Sequence, residues 1–197
     1  TLKCWGVNQE GQTGAGNVTA GTFVGDAANE MGDSLPVVDL GGQKVKQVAL
    51  FFHHTCAILM DDTLKCWGQN NAGQLGYGDI AIRGTGPNEM GASLAAINLG
   101  TNRKAKQVAV GESHTCAVLD NNTVKCWGLN DLGQLGYGDT ATRGNAANQM
   151  GDTLVAIDLG AGRTAKAVTA GFRHSCALLD NNTVKCWGYN QNGQLGQ

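Results

Sequence analysis

One tripeptide sets the architecture. Cys-Trp-Gly begins at Cys4, Cys66, Cys126 and Cys186, at intervals of 62, 60 and 60 residues, and it holds all four tryptophans (Trp5, Trp67, Trp127, Trp187) of the 197-residue chain. Three further blocks keep step with it. A His-Thr/Ser-Cys block places His54, His114 and His174 two residues before Cys56, Cys116 and Cys176. A Gly-Gln-Leu-Gly block begins at Gly73, Gly133 and Gly193, and a Met-Gly-x-Ser/Thr-Leu block at Met31, Met90 and Met150. Self-similarity at a fixed period means an array whose units bury their faces against one another. The chain divides into three units, 7–68, 69–128 and 129–188, with overhangs 1–6 and 189–197. The first unit is irregular: three residues are inserted near Thr19 to Phe23 and one is lost further on.

Within a unit the pattern is that of strands. In the third, Leu154–Ile157 is a short apolar run, Ala165–Ala170 is small and β-branched, and His174–Leu179 and Val184–Trp187 flank Asp180-Asn181-Asn182. Two short strands around an Asn/Asp turn are a hairpin signal, and no window carries a sustained helical period with caps. The expected fold is all-β, with four-stranded antiparallel blades of a β-propeller. Glycine, 30 of 197 residues and roughly twice ordinary usage, suits the blade corners. Three units are fewer than the four to eight blades of closed propellers. The expectation is therefore three blades of a larger propeller or of an open array.

The unit V-x-V-A-x-G-x-x-H-T-C-A-x-L-D-N-x-x-V-K-C-W-G-x-N-x-x-G-Q-L-G-x-G-D resembles the regulator-of-chromosome-condensation (RCC1) repeat, over essentially the whole chain. Its extended form with paired cysteines is similar to repeats of large bacterial and algal proteins, many of them secreted. The resemblance implies a seven-bladed propeller of four-stranded blades.

Cys56/Cys66, Cys116/Cys126 and Cys176/Cys186 are each ten residues apart across an expected hairpin. With Asp120-Asn121-Asn122 as a three-residue tip, Cys116 and Cys126 face each other directly, within reach of a disulfide. Buried free thiols are the competing reading. A zinc site would need convergent close-spaced pairs, and no metal is expected. Disulfides persist in oxidising compartments, so the chain is expected outside the cell or at its surface. The seventh cysteine, Cys4, is unpaired in this segment: its partner would lie ten positions earlier, before Thr1. The chain also begins without an initiator Met or signal peptide, and it reads as a cut from a longer repeat array.

Asn17, Asn121 and Asn181 head glycosylation sequons; the last two lie at hairpin tips, where turn chemistry alone also accounts for asparagine. Asp79/Arg83 and Asp139/Arg143 are either a binding surface or an internal pair that ties a loop down. The first unit lacks this arginine, which singles out the Gly16 to Asp26 loop as the specialised surface. The histidines recur where catalysis needs one unique constellation, so a structural hydrogen bond is expected, with no catalytic residue and no cofactor. The tryptophans are expected to pack between blades. Light-sensing members of the resembled family carry tryptophans at the positions matching Phe52, Glu112 and Phe172, so the resemblance implies no light sensing here.

Net charge is −2 with 14 Lys+Arg against 16 Asp+Glu, which lacks the basic excess of nucleic-acid binding. No apolar run approaches the roughly 20 residues of a membrane span. The expected function is a non-enzymatic extracellular scaffold, adhesion module or filament building block. Its partners would be further repeats, copies of the same chain, other extracellular proteins or glycans. The alternatives are the family's guanine-nucleotide exchange with chromatin association, and a carbohydrate-binding or hydrolytic propeller.

Overall fold

The structure, a computed structural model, describes residues 1–16 and 23–196. Strands β1 (Gly6–Val7) and β2 (Phe23–Val24) form a short antiparallel pair, followed by a 3-10 turn at Gly32–Ser34. Three antiparallel meanders come next. They are β3 (Val45–Phe51), β4 (His54–Leu59) and β5 (Leu64–Gly68); then β6 (Ala105–Val110), β7 (His114–Leu119) and β8 (Val124–Gly128); then β9 (Ala165–Ala170), β10 (His174–Leu179) and β11 (Val184–Gly188). Among the described residues no helix is long and apolar enough to cross a membrane.

The hairpin tips explain the register. Asn122 adopts φ +63° and its N–H bonds to Leu119 O at 2.9 Å, closing the loop over Asp120–Asn122. The left-handed residue is thus Asn122, and Asn182 likewise, not the sequon asparagines. Asn121 is exposed and acts through its side chain, whose oxygen accepts from the Thr123 N–H at 3.2 Å and hydroxyl at 2.8 Å; Asn181 and Thr183 repeat this. A one-residue slip would turn every side chain to the wrong face, so this turn sets Cys116 opposite Cys126.

The core lies between sheets, and strand parity decides which interface each residue serves. In β4, Cys56 and Ile58 face the second sheet, whereas Ala57 and Leu59 face back toward Trp67 and Val38. In β7, Ala117 and Leu119 face the first sheet and Cys116 and Val118 the third. Both central strands are therefore buried throughout, as expected where a strand is covered on two faces.

The expected fourth strand of each blade does not form. Leu154–Ile157 runs beside β8 but contributes one backbone bond, from Ile157 N–H to Val124 O at 2.8 Å; Ile97 to Leu64 O repeats it at 2.8 Å. A tyrosine hydroxyl takes the place of the ladder. Tyr137 Oη accepts from Cys126 N–H at 3.2 Å and lies 3.1 Å from both Cys126 O and Val155 O, which compete for its one proton. The sheets are thus three-stranded, with an outer run held by a side chain.

Candidate functional site

The three cysteine pairs are joined across hairpins: Cys56–Cys66 and Cys116–Cys126 with Cα atoms 4.1 Å apart, and Cys176–Cys186 at 4.0 Å. The Cys66 N–H and C=O point away from β4, onto the Tyr77 hydroxyl. The cysteines therefore occupy a non-hydrogen-bonded pair, where opposed Cα atoms approach most closely. Cys4 is free and half-buried, and burial pushes its thiol pKa up to about 11. Asn17 lies outside the described residues.

The tryptophan, histidine and glutamine blocks meet at each contact between units. The carbonyl of Gln74 accepts from Thr115 Oγ1 at 2.8 Å and Trp127 Nε1 at 3.0 Å. Gln12 serves Thr55 and Trp67, and Gln134 serves Ser175 and Trp187, in the same way. His54 Nε2 then lies 2.9 Å from Thr115 Oγ1, and His114 Nε2 2.9 Å from Ser175 Oγ. Because Thr115 gives its proton to Gln74 O, the histidine must be the donor, which fixes the Nε2–H tautomer. Trp5 is 63% exposed, with no such loop against it among the described residues.

Glutamine side chains supply a second seam. Gln47 Nε2 donates to Val108 O at 3.0 Å and its Oε1 accepts from Val108 N–H at 3.2 Å; Gln107 does the same to Val168. A primary amide here plays the part of a neighbouring strand's peptide group. Lys125 completes the contact: largely buried, it donates to Leu99 O at 2.9 Å and Gly151 O at 2.8 Å. Burial lowers its pKa, partly offset by the Asp152 carboxylate. The tyrosines, the lysines and these glutamines were not singled out from sequence, although Lys65, Lys125 and Lys185 recur at the same period as the cysteines.

Asp79 and Arg83 form the internal pair: Arg83 Nη2 to Asp79 Oδ2 is 2.7 Å, and the guanidinium lies 4.0 Å over the Tyr77 ring. Arg143, Asp139 and Tyr137 repeat it at 2.7 and 4.2 Å. Hydrogen bonds from Arg143 hold the Asp139 carboxyl down at about 2. These clamps lock the tyrosines under the loop.

His54 and His114 carry a pH dependence. Burial, with the charge of neighbouring histidines, lowers their pKa values to about 3 and about 4. The unfolded chain takes up protons at about pH 6.5, while the folded chain does not. Their neutral, buried state therefore contributes stability above pH 6.5 that is lost as pH falls toward 4. Melting temperatures measured from pH 7.5 to 4 are expected to drop below pH 6.5. The His54→Gln/His114→Gln double variant should be less stable at pH 7.5 and lose less on acidification. An unchanged acid slope in that variant would remove the histidines as its cause.

The regulator of chromosome condensation (RCC1) repeat signature matches residues 45–74, 105–134 and 165–194, and a second RCC1 signature matches 61–118. The chain belongs to the RCC1 repeat family. It is 30% identical over 160 residues to the ultraviolet-B receptor UVR8 of Arabidopsis thaliana, covering 81% of this chain and 33% of the receptor. It is 28% identical over 193 residues to the probable E3 ubiquitin-protein ligase HERC3 of Homo sapiens, 98% of this chain but 16% of the ligase. Among solved structures, Prp20p of Saccharomyces cerevisiae superposes with a TM-score of 0.68 at 20% identity, over 98% of this chain and 42% of that one. Human WBSCR16 gives 0.67 at 18% identity, over 94% and 43%. The RCC1 fold is thus present across this chain, which spans a third or less of these curated relatives.

Proposed function

We propose that these RCC1 repeats form a non-enzymatic, extracellular protein-interaction scaffold. The observation that carries the reading is the cross-strand disulfide at the same register in all three sheets, a feature suited to an oxidising compartment. Protein binding is the use its structural relatives suggest: yeast RCC1 has been seen bound to Kap60, and Prp20p studied for binding to Gsp1p and histones. The faces that would engage partners are those the units use between themselves. Val48 and Leu50 are exposed where Val108 and Val110, their counterparts, are buried, and Leu178 and Val184 are exposed where Val118 and Val124 are buried. A further repeat, or another copy of the chain, matches both faces.

Free thiols decide the compartment. Protein taken from its natural source with an alkylating agent present from lysis, then denatured without reductant, is expected to show Cys56, Cys66, Cys116, Cys126, Cys176 and Cys186 protected from alkylation. Seven alkylated cysteines would overturn the extracellular reading.

A further inference from the structure

The first unit departs from the other two at one place, and the departures are concerted. The β1–β2 register pairs Gly6 with Val24, as Gly68 pairs with Arg83 and Gly128 with Arg143. Val24 therefore stands where the clamp arginine stands. Ala15, next after Gly11-Gln12-Thr13-Gly14, stands where Tyr77 and Tyr137 stand, and Thr13 replaces the fully buried Leu75 and Leu135. Val38 N–H bonds to Leu2 O at 2.9 Å, matching the Ile97–Leu64 bond. Pro36 O thus corresponds to Ala95 O, the carbonyl 3.1 Å from the Tyr77 hydroxyl.

The space this leaves is a cavity of about 290 Å³, bounded by Cys4, Thr13, Ala15, Val24, Leu35 and Pro36. Ala15 stands in the place of the tyrosine itself, and Cys4, Val24 and Pro36 are the counterparts of Cys66, Arg83 and Ala95, which contact Tyr77 in the second unit. The Cys4 N–H and C=O are the groups that the tyrosine hydroxyl would satisfy; Asn8 and Glu30, which also line the cavity, already accept from the Thr13 N–H and from the Gly25, Asp26 and Ala27 N–H groups. No described residue bonds the Cys4 N–H or C=O, the counterparts of the Cys66 groups that Tyr77 Oη bridges. The Thr13 hydroxyl is buried (3% exposed) and has no partner among the described residues. Protein interiors are filled to crystal-like density, and unpartnered buried polar groups are costly. An apolar wall with a few convergent polar groups is what a small-ligand site presents.

We propose that the first unit binds a phenol ring in the place that Tyr77 and Tyr137 fill in the other two. The ring lies against Ala15, Val24 and Leu35. Its hydroxyl accepts from Cys4 N–H and donates to Cys4 O or Pro36 O. Such a ring is supplied either by a free phenol or by a tyrosyl side chain, and the two are separable.

p-Cresol titrated into the whole protein is expected to bind once per chain, to slow iodoacetamide modification of Cys4, and to bind about tenfold or more tighter than toluene, which lacks the hydroxyl. Ala15→Tyr, which restores the ring in place, is expected to abolish p-cresol binding, and Ala15→Phe does so as a second variant. N-acetyltyrosinamide binding as well as p-cresol assigns a tyrosyl side chain; p-cresol alone assigns a free phenol. No protection of Cys4, equal affinity for toluene, or binding retained in folded Ala15→Tyr and Ala15→Phe would overturn the proposal.

Discussion

Replacing Trp127 by alanine is expected to lower the unfolding free energy by about 4 kcal/mol, the upper part of the range for removing a large buried aromatic. The side chain has no exposed surface, packs in the core between the first and second sheets, and donates its indole N–H to Gln74 O. Gly76 lies directly beneath the ring: a Cβ there would come within 2.6 Å of Nε1. A loop this close to the indole relaxes little when the ring is removed, so most of the cavity remains. Trp127→Phe keeps much of the packing and loses only the N–H, and about 1–2 kcal/mol is expected. Urea unfolding midpoints and slopes measure both. The alanine variant should also lower the slope, since loss of one interface lets units of a repeat array unfold separately. A loss under about 1 kcal/mol with an unchanged slope would show that this contact does not couple the units.

Removing the Cys116–Cys126 disulfide by Cys116→Ala/Cys126→Ala is expected to cost about 3 kcal/mol from the chain entropy of the ten-residue loop alone. The Cys176→Ala/Cys186→Ala pair closes a loop of the same separation. Its entropic loss should therefore be the same, but its cavity contribution smaller, because Cys116 and Cys126 are fully buried and Cys176 and Cys186 are half-buried. Chemical unfolding of the two variants separates these effects. Equal losses would assign the stabilisation wholly to loop closure. A loss below about 1 kcal/mol in both would mean the bridges do not staple the fold.

Much of the architecture could be read from the chain because repetition multiplies each signal. The ten-residue cysteine spacing and the Asp-Asn-Asn tip agree on one register, and β7 pairs with β8 in that register, Cys116 opposite Cys126. Short apolar and β-branched runs flanking the Asp180-Asn181-Asn182 turn located β9 to β11 to within a residue. The outer run Leu154–Ile157 was read as a strand because its composition is that of one. Whether it joins the sheet depends on what fills the gap beside β8, and that is Tyr137, eighteen positions before Val155 in sequence. No local pattern reports such a contact. The histidines raised the same difficulty. Their recurrence argued against catalysis, but their partners, Thr115 and Ser175, lie 61 residues away on the next unit.

By itself the sequence determined the repeat, the all-β hairpins and which cysteines face each other across them, since all of these follow from spacing along the chain. It also recorded that the first unit lacks an arginine. Only the tertiary structure decided what that absence means. Tyr77, Arg83 and Asp79 act as one clamp because folding stacks the guanidinium on the ring and sets the hydroxyl between two backbone segments. Ala15, Val24 and Pro36 enclose a cavity for the same reason. Spacing along one strand can be counted in the sequence. Adjacency between a loop, a strand and an outer run is set by how the sheets pack, and it exists only once they have packed.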